Sequence, residues 1–185
     1  MGARERAHAD VTELELVGGV EPRPVVIVAY DDAWPAAYAT HERRIRTALG
    51  PVAGMVEHIG STSVPGLAAK PIIDVLVTVP DITDESAYLA PLLAAGYELR
   101  VREPGHRMVR TPQRDVHVHV LEDGDPEAGE YLLLRDRLRT DDADRALYEA
   151  TKRRLAQQDW LDMNAYADAK TAVVEEIKQR AREVG

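Results

Sequence analysis

Residues 58–77 read HIGSTSVPGLAAKPIIDVLV. The stretch begins extended, turns at Gly60-Ser61, crosses a loop broken by Pro65, Gly66 and Pro71, and enters an apolar strand over 72–79 that carries one carboxylate, Asp74. Small residues at a turn let the backbone approach a ligand closely, and glycine tolerates the dihedrals this requires. Successive turn N–H groups form an anion-binding concavity. Lys70 adds a cation, and Asp74 interrupts Ile72, Ile73, Val75, Leu76 and Val77. A lone buried charge is expensive, so Asp74 needs a partner, a metal or water. A phosphate cradle, a cation and a carboxylate so close in sequence suggest a nucleotide site.

Working outward, residues 25–30 (VVIVAY) form a β-branched run that predicts a strand. Asp31-Asp32 ahead of Trp34-Pro35 predict a helix start, and Gly50-Pro51 its end. The near-continuous apolarity of 72–79 predicts a strand covered on both faces. A second helix is expected from Asp81 and Asp84 to Ala95, with Leu89, Leu92 and Leu93 inward and Gly96 as its stop. Three short strands follow, over 97–102, 107–111 and 115–121, joined by turns at Pro104-Gly105 and Pro112-Gln113. From Pro126 onward the spacing is helical: Tyr131, Leu134 and Leu138, then Ala146, Leu147 and Ala150, then Ala165, Tyr166, Ala169, Val173 and Ile177. Strands lead and helices trail, which predicts an α+β domain with a mixed or antiparallel sheet of about five strands. Residues 1–20 are expected to be a tail or an edge strand ahead of one domain over 21–185.

Composition narrows the function. The chain has 185 residues, a formal net charge of -9 and no cysteine. The charge argues against broad adhesion to nucleic acid or anionic lipid, though not against a local basic pocket. Without cysteine there is no disulfide framework, thiolate metal site or thiol nucleophile. The opening MGARERAHAD lacks the apolar core of a signal peptide, and no run approaches membrane-spanning length, so the expected location is cytoplasmic.

The stretch HIGSTSVPGLAAKPIID, followed in order by REPGHRM, DVHVHV, LLRDRLR and AYADAK, closely resembles the GrpB family, over roughly residues 25–177. The resemblance implies a nucleotidyltransferase-like fold related to the polymerase-β type of palm. It also implies a Gly-Ser turn that holds a triphosphate, a phosphorylated small molecule or nucleotide as ligand, and a divalent metal. Some family members are fused to dephospho-CoA kinase, which suggests a link to coenzyme A metabolism.

Active enzymes of that fold hold metal with two strand carboxylates one residue apart, because positions i and i+2 share a face. Here Asp74 is present but the second position is Leu76. His117 and His119 in DVHVHV share one strand face and are candidate replacements. With Asp74 they suit Mn²⁺, Zn²⁺ or another imidazole-tolerant ion better than Mg²⁺. The competing reading is a half-buried sheet face with hydrogen-bonded histidines, and for Asp74 a structural ion pair.

Gly60, Ser61 and Ser63 are candidate phosphate contacts, with the serines as hydrogen-bond donors; alternatively they cap local backbone. His58 is a candidate wall of the same pocket. Lys70 and Arg107 are candidate phosphate cations, and arginine suits bidentate recognition. Arg135, Lys152, Tyr166 and Lys170 complete the set from the helices. Tyr166 and Lys170, four apart, share a helix face, although long basic stems also cover cores while their charges reach water. Three functions compete: metal-dependent nucleotidyl or phosphoryl transfer, a non-catalytic nucleotide-binding domain in which Leu76 marks the lost metal chemistry, and an acyl- or amino-acid-transferring enzyme reusing the fold.

Overall fold

A computed structural model describes residues 11, 13–21, 24–160 and 163–184. Of the stretch 1–20, expected above to be a tail or an edge strand, residues 1–10 lie outside the described residues. Among these, six strands form one mixed sheet: β1 (Glu15–Leu16), β2 (Val56–Ile59), β3 (Ile73–Val79), β4 (Glu98–Glu103), β5 (His106–Arg110) and β6 (Val116–Glu122). Their order is β1-β4-β5-β6-β3-β2, with β3 and β6 parallel at the centre and the remaining pairs antiparallel. No helix among the described residues is long and apolar enough to cross a membrane.

The apolar run of β3 is covered on both faces. Val75, Val77 and Val79 join Val116, Val118 and Val120 of β6 in a core with Trp34, Ile45, Tyr88 and Leu92. The latter four come from α1 (Trp34–Leu49) and α2 (Glu85–Ala94). On the other face Leu76 packs with Ile59, Leu121 and Ala128, the last from α3 (Pro126–Thr140). A third cluster of Val64, Leu67, Leu138, Tyr148, Val173 and Ile177 ties the loop after the Gly-Ser turn to α3, α4 (Asp142–Leu155) and α6 (Thr171–Val184). A short helix, α5 (Met163–Asp168), precedes α6.

The helix starts follow their sequence signals. Asp31 Oδ1 accepts from Ala33 N at 2.8 Å just before α1, where Pro35 occupies the first turn. Asp125 Oδ1 accepts from Glu127 N at 2.9 Å, with Pro126 at the first helical position of α3. Proline is tolerated there because that N–H has no intrahelical acceptor.

Several expectations are corrected. Residues 25–30 are not a strand: only Val28 pairs, with Ala69, and Val26 is exposed. Glu15-Leu16 pairs with β4 as an edge strand, one of the two expectations for residues 1–20, and brings the sheet to six strands. In α2, Leu93 is exposed, while Tyr88 turns inward and donates to Ile82 O at 2.7 Å. In α4, Ala146, Leu147 and Ala150 face outward, and Asp144, Tyr148, Thr151, Lys152 and Leu155 are buried. Asp144 tolerates burial because Arg137 and Arg180 reach it at 2.6 and 2.5 Å. Ala169 is also exposed.

Arg107 lies on the α1/α2 side of the sheet, opposite Val120 in register, and is 1% exposed. Its Nε donates to Glu85 Oε1 at 2.6 Å, while Nη1 reaches the carbonyls of Glu103 and His106. Breaking a buried ion pair from one side strands the other charge. Glu85→Ala is therefore expected to cost roughly 3 kcal/mol, read from the urea-unfolding midpoint.

Candidate functional site

The parallel pairing of β3 and β6 sets Asp74 opposite His117 and Leu76 opposite His119. Asp74 Oδ1 stands 3.7 Å from His117 Nδ1 and 3.5 Å from His119 Nε2. These gaps exceed good hydrogen bonds. They suit atoms that share one cation. One donor atom from each of the three residues fits within a mutual distance of 4.8 Å, and among the described residues this is the cluster able to hold a metal.

The protonation states fit that role. Burial drives the His117 pKa down to about 4, against the opposing charge of Asp74 and helped by His119, Lys70 and Arg110. His117 is therefore neutral at pH 7, the form that ligates metal. Burial works to raise the Asp74 pKa, but the contact with His119, the charge that His117 and His119 carry when protonated, and Lys70 together hold it below the usual value. One carboxylate oxygen and two imidazole nitrogens fit Mn²⁺ or Zn²⁺ better than Mg²⁺, which prefers oxygen. Leu76 is committed to packing against Ile59 and Leu121, so the ligands beside Asp74 come from the neighbouring strand.

The Gly-Ser turn presses against Asp74. Gly60 has φ 70° and ψ -175°, a region only glycine occupies readily, and a Cβ there would lie 2.5 Å from Asp74 Oδ2. The turn leads into a short 3-10 segment, Ser61–Ser63. Ser61 faces Lys152 of α4, whose Nζ donates to Ser61 Oγ at 3.0 Å and also to Ala68 O. Lys152 is 2% exposed. Burial, reinforced by the charge of Lys170 and partly offset by Glu149, lowers its pKa to about 7.

Around it stand Lys70 Nζ and Lys170 Nζ, 5.0 and 4.8 Å from the Tyr166 ring centre, and Tyr148, whose ring lies 4.9 Å from Lys152 Nζ. Cations over aromatic faces are attracted by the ring quadrupole. The Tyr166 hydroxyl is buried and has no hydrogen-bond partner among the described residues. Gly60, Ser61, Lys70, Asp74, His117, His119, Arg135, Lys152, Tyr166 and Lys170 thus line one cleft of about 850 Å³.

Three expected members lie elsewhere. Arg107 is on the opposite sheet face, bound to Glu85. His58 is on that face too: it stacks on Tyr38 at 4.7 Å, contacts Thr62 Oγ1 at 3.0 Å, and burial lowers its pKa to about 4. Ser63 Oγ donates to Gly60 O at 2.6 Å, a local cap within the turn. Arg135 is at the rim, donating to Glu57 Oε2 at 2.7 Å and to His58 O at 3.2 Å. The cleft also gathers residues the sequence reading passed over, among them Tyr131, whose ring lies 5.8 Å from that of His119, and Arg100. Tyr148 had a signal: it sits one helical turn before Lys152.

Two consequences are measurable. Gly60→Ala combines backbone strain with displacement of the Asp74 carboxylate and is expected to cost about 1–3 kcal/mol in chemical denaturation. Lys152 has a folded pKa below the ordinary lysine value, so between about pH 7 and 10 the unfolded chain binds more protons. The lysine is costly when protonated in the fold, and stability rises with pH through that window. Lys152→Met should flatten this rise in unfolding midpoints measured from pH 7 to 10.

Comparison with known proteins gives the family and the fold. A UPF0157 protein of Streptomyces coelicolor is 60% identical over 176 residues, covering 95% of this chain and 94% of its own. A dephospho-CoA kinase of Mycolicibacterium paratuberculosis is 33% identical over 187 residues, covering 85% of this chain but 46% of the kinase. The crystal structure of conserved protein GrpB from Enterococcus faecalis matches with a TM-score of 0.74 at 33% identity, covering 84% of this chain and 96% of that one. Cid1 poly(U) polymerase, solved with Mg 3'-dATP bound, matches with a TM-score of 0.51 at 16% identity over 71% of this chain and 43% of its own. At that identity the likeness concerns the fold alone, which is nucleotidyltransferase-like. The family of GrpB proteins matches over residues 24–180, and the chain belongs to the GrpB family.

Proposed function

We propose that this chain binds a nucleotide or another phosphorylated small molecule in the cleft and transfers a nucleotidyl or phosphoryl group with the help of a divalent ion. The observation that carries this reading is the convergence of two unlike groups on one cleft. Asp74, His117 and His119 stand at the floor, and Ser61, Lys70, Lys152 and Lys170 stand beside them. On a chain with a net charge of -9, three lysines facing one cleft favour a compact polyanion.

In this reading Asp74, His117 and His119 hold the ion, which when bound supplies Lewis-acid polarisation of a phosphoryl oxygen. The Gly60-Ser61 turn brings backbone and hydroxyl donors close to phosphate. Lys70 and Lys170 neutralise charge from the Tyr166 side. Lys152, poised near pH 7, takes up a proton as the anion arrives, so its charge appears where the ligand supplies a counter-charge. Such sites work by positioning and electrostatics. The dephospho-CoA kinase relative supports trying coenzyme A precursors among the ligands.

Leu76 favours a second reading, a binding domain without turnover. It stands where a second metal carboxylate would be and is buried among apolar side chains. Product release from a bound nucleoside triphosphate distinguishes the two readings.

Thermal shift with nucleoside triphosphates and dephospho-CoA, each with Mn²⁺, Zn²⁺ or Mg²⁺, tests the proposal. A ligand at about 100 times its Kd should raise Tm by about 5–10 °C. The shift should be largest with Mn²⁺ or Zn²⁺ and lost in Asp74→Ala and His119→Ala. No shift with any nucleotide or precursor in the wild-type protein would overturn it.

A further inference from the structure

The β4–β5 hairpin carries a chain of side-chain contacts that ends on the candidate metal cluster. Glu103 and His106 flank the Pro104-Gly105 turn and are register partners. Glu103 Oε1 lies 2.5 Å from His106 Nδ1. His106 Nε2 in turn lies 3.2 Å from His119 Nδ1, and the two rings stack at 5.3 Å with 11° between their planes. His119 Nε2 then faces Asp74 Oδ1 at 3.5 Å. Side-chain exposures of 13% for His106 and 18% for His119 leave little room for water to replace these partners.

With both imidazoles neutral, donor counting gives the direction of the chain. The hydrogen bond from His106 lowers the Glu103 pKa against the effect of burial, so its carboxylate is ionised and can only accept. His106 Nδ1 therefore carries a hydrogen. A neutral imidazole has one N–H, so His106 Nε2 is an acceptor and His119 Nδ1 must donate to it. The remaining nitrogen, His119 Nε2, then holds a lone pair directed at the Asp74 carboxylate. In that tautomer two electron-rich atoms face each other across 3.5 Å, an arrangement that a proton or a cation between them relieves.

We propose that Glu103 and His106 are positioning residues that lock His119 in its Nδ1–H tautomer, leaving Nε2 as a ready-made ligand atom beside Asp74. The consequence for metal affinity rests on the cation-binding reading above, but the tautomer does not. A metal-ligating histidine commonly donates its other nitrogen to a carboxylate or carbonyl. Here the carboxylate acts through an intervening imidazole. A purely structural ion pair at the hairpin would be complete with Glu103 and His106 alone and would leave the hydrogen on His119 unassigned.

The test uses metal-free full-length protein with ¹⁵N-labelled histidine. Long-range ¹H–¹⁵N spectra should show His119 as the Nδ1–H tautomer in the wild type. In His106→Ala the Nε2–H form should take over, and Zn²⁺ affinity should fall by about 10- to 100-fold. His106→Gln, which keeps an acceptor at the same reach, should restore both the tautomer and most of the affinity. It also serves if the alanine variant fails to fold. An Nε2–H tautomer for His119 in the wild-type protein would overturn the inference, whether or not Zn²⁺ binds. A tautomer that switches in His106→Ala in a wild-type protein unable to bind any divalent ion would support the lock while removing the cation-binding reading.

Discussion

The parallel pairing of β3 with β6 is the constraint on which the rest of the molecule depends. A parallel pair has evenly spaced registers, and side chains of partner residues fall on the same face. Asp74 with His117 and Leu76 with His119 therefore stack side by side toward the C-terminal helices, while Val75 and Val118 turn into the opposite core. A shift of one residue would send the carboxylate into the apolar layer beneath α1 and α2 and expose the valines. The same apolar alternation that stabilises the sheet thus fixes the polar cluster. Function and packing are set by one register.

The cleft concentrates features that a stability-optimised fold would avoid. Gly60 sits in a region of backbone space closed to other residues, in contact with a carboxylate. Lys152 is buried beside two other lysines, its charge weakened by the surroundings. The Tyr166 hydroxyl is buried with no partner among the described residues. Strain and unmatched polarity of this kind gather where a ligand completes the structure. The opposite sheet face offers the contrast: Arg107 is equally buried, but Glu85 and two carbonyls satisfy it.

Much of this was legible in the sequence. Asp74, His117 and His119 are legible as candidates for one cluster, because an acid in an apolar run and an alternating His pair both stand out against a period of two. Lys152, Tyr166 and Lys170 came from the family resemblance. Parity caused the misses. Alternation says that His106, Met108 and Arg110 share a face, yet nothing local says which face meets the cleft; Arg107 was chosen, and the even positions were the ones that face it. His58 failed the same way, since Ile59 rather than His58 faces Asp74's side of the sheet. Helix α4 misled because it buries charge: the spacing of Ala146, Leu147 and Ala150 predicts the inward stripe, yet Asp144 and Lys152 are inside, held by partners on other elements. The β-branched run at 25–30 matches strand propensity, but propensity does not report pairing, and only Val28 finds a partner, in Ala69.

The most direct measurement is calorimetric titration of Mn²⁺ into metal-free protein, compared with Asp74→Ala and His117→Ala. Binding of one ion per chain in the wild type, abolished in both variants while their secondary structure is retained, is the predicted result. Wild-type binding that persists undiminished in both variants, or none in the wild type, would contradict the assignment of Asp74, His117 and His119 as a cation site.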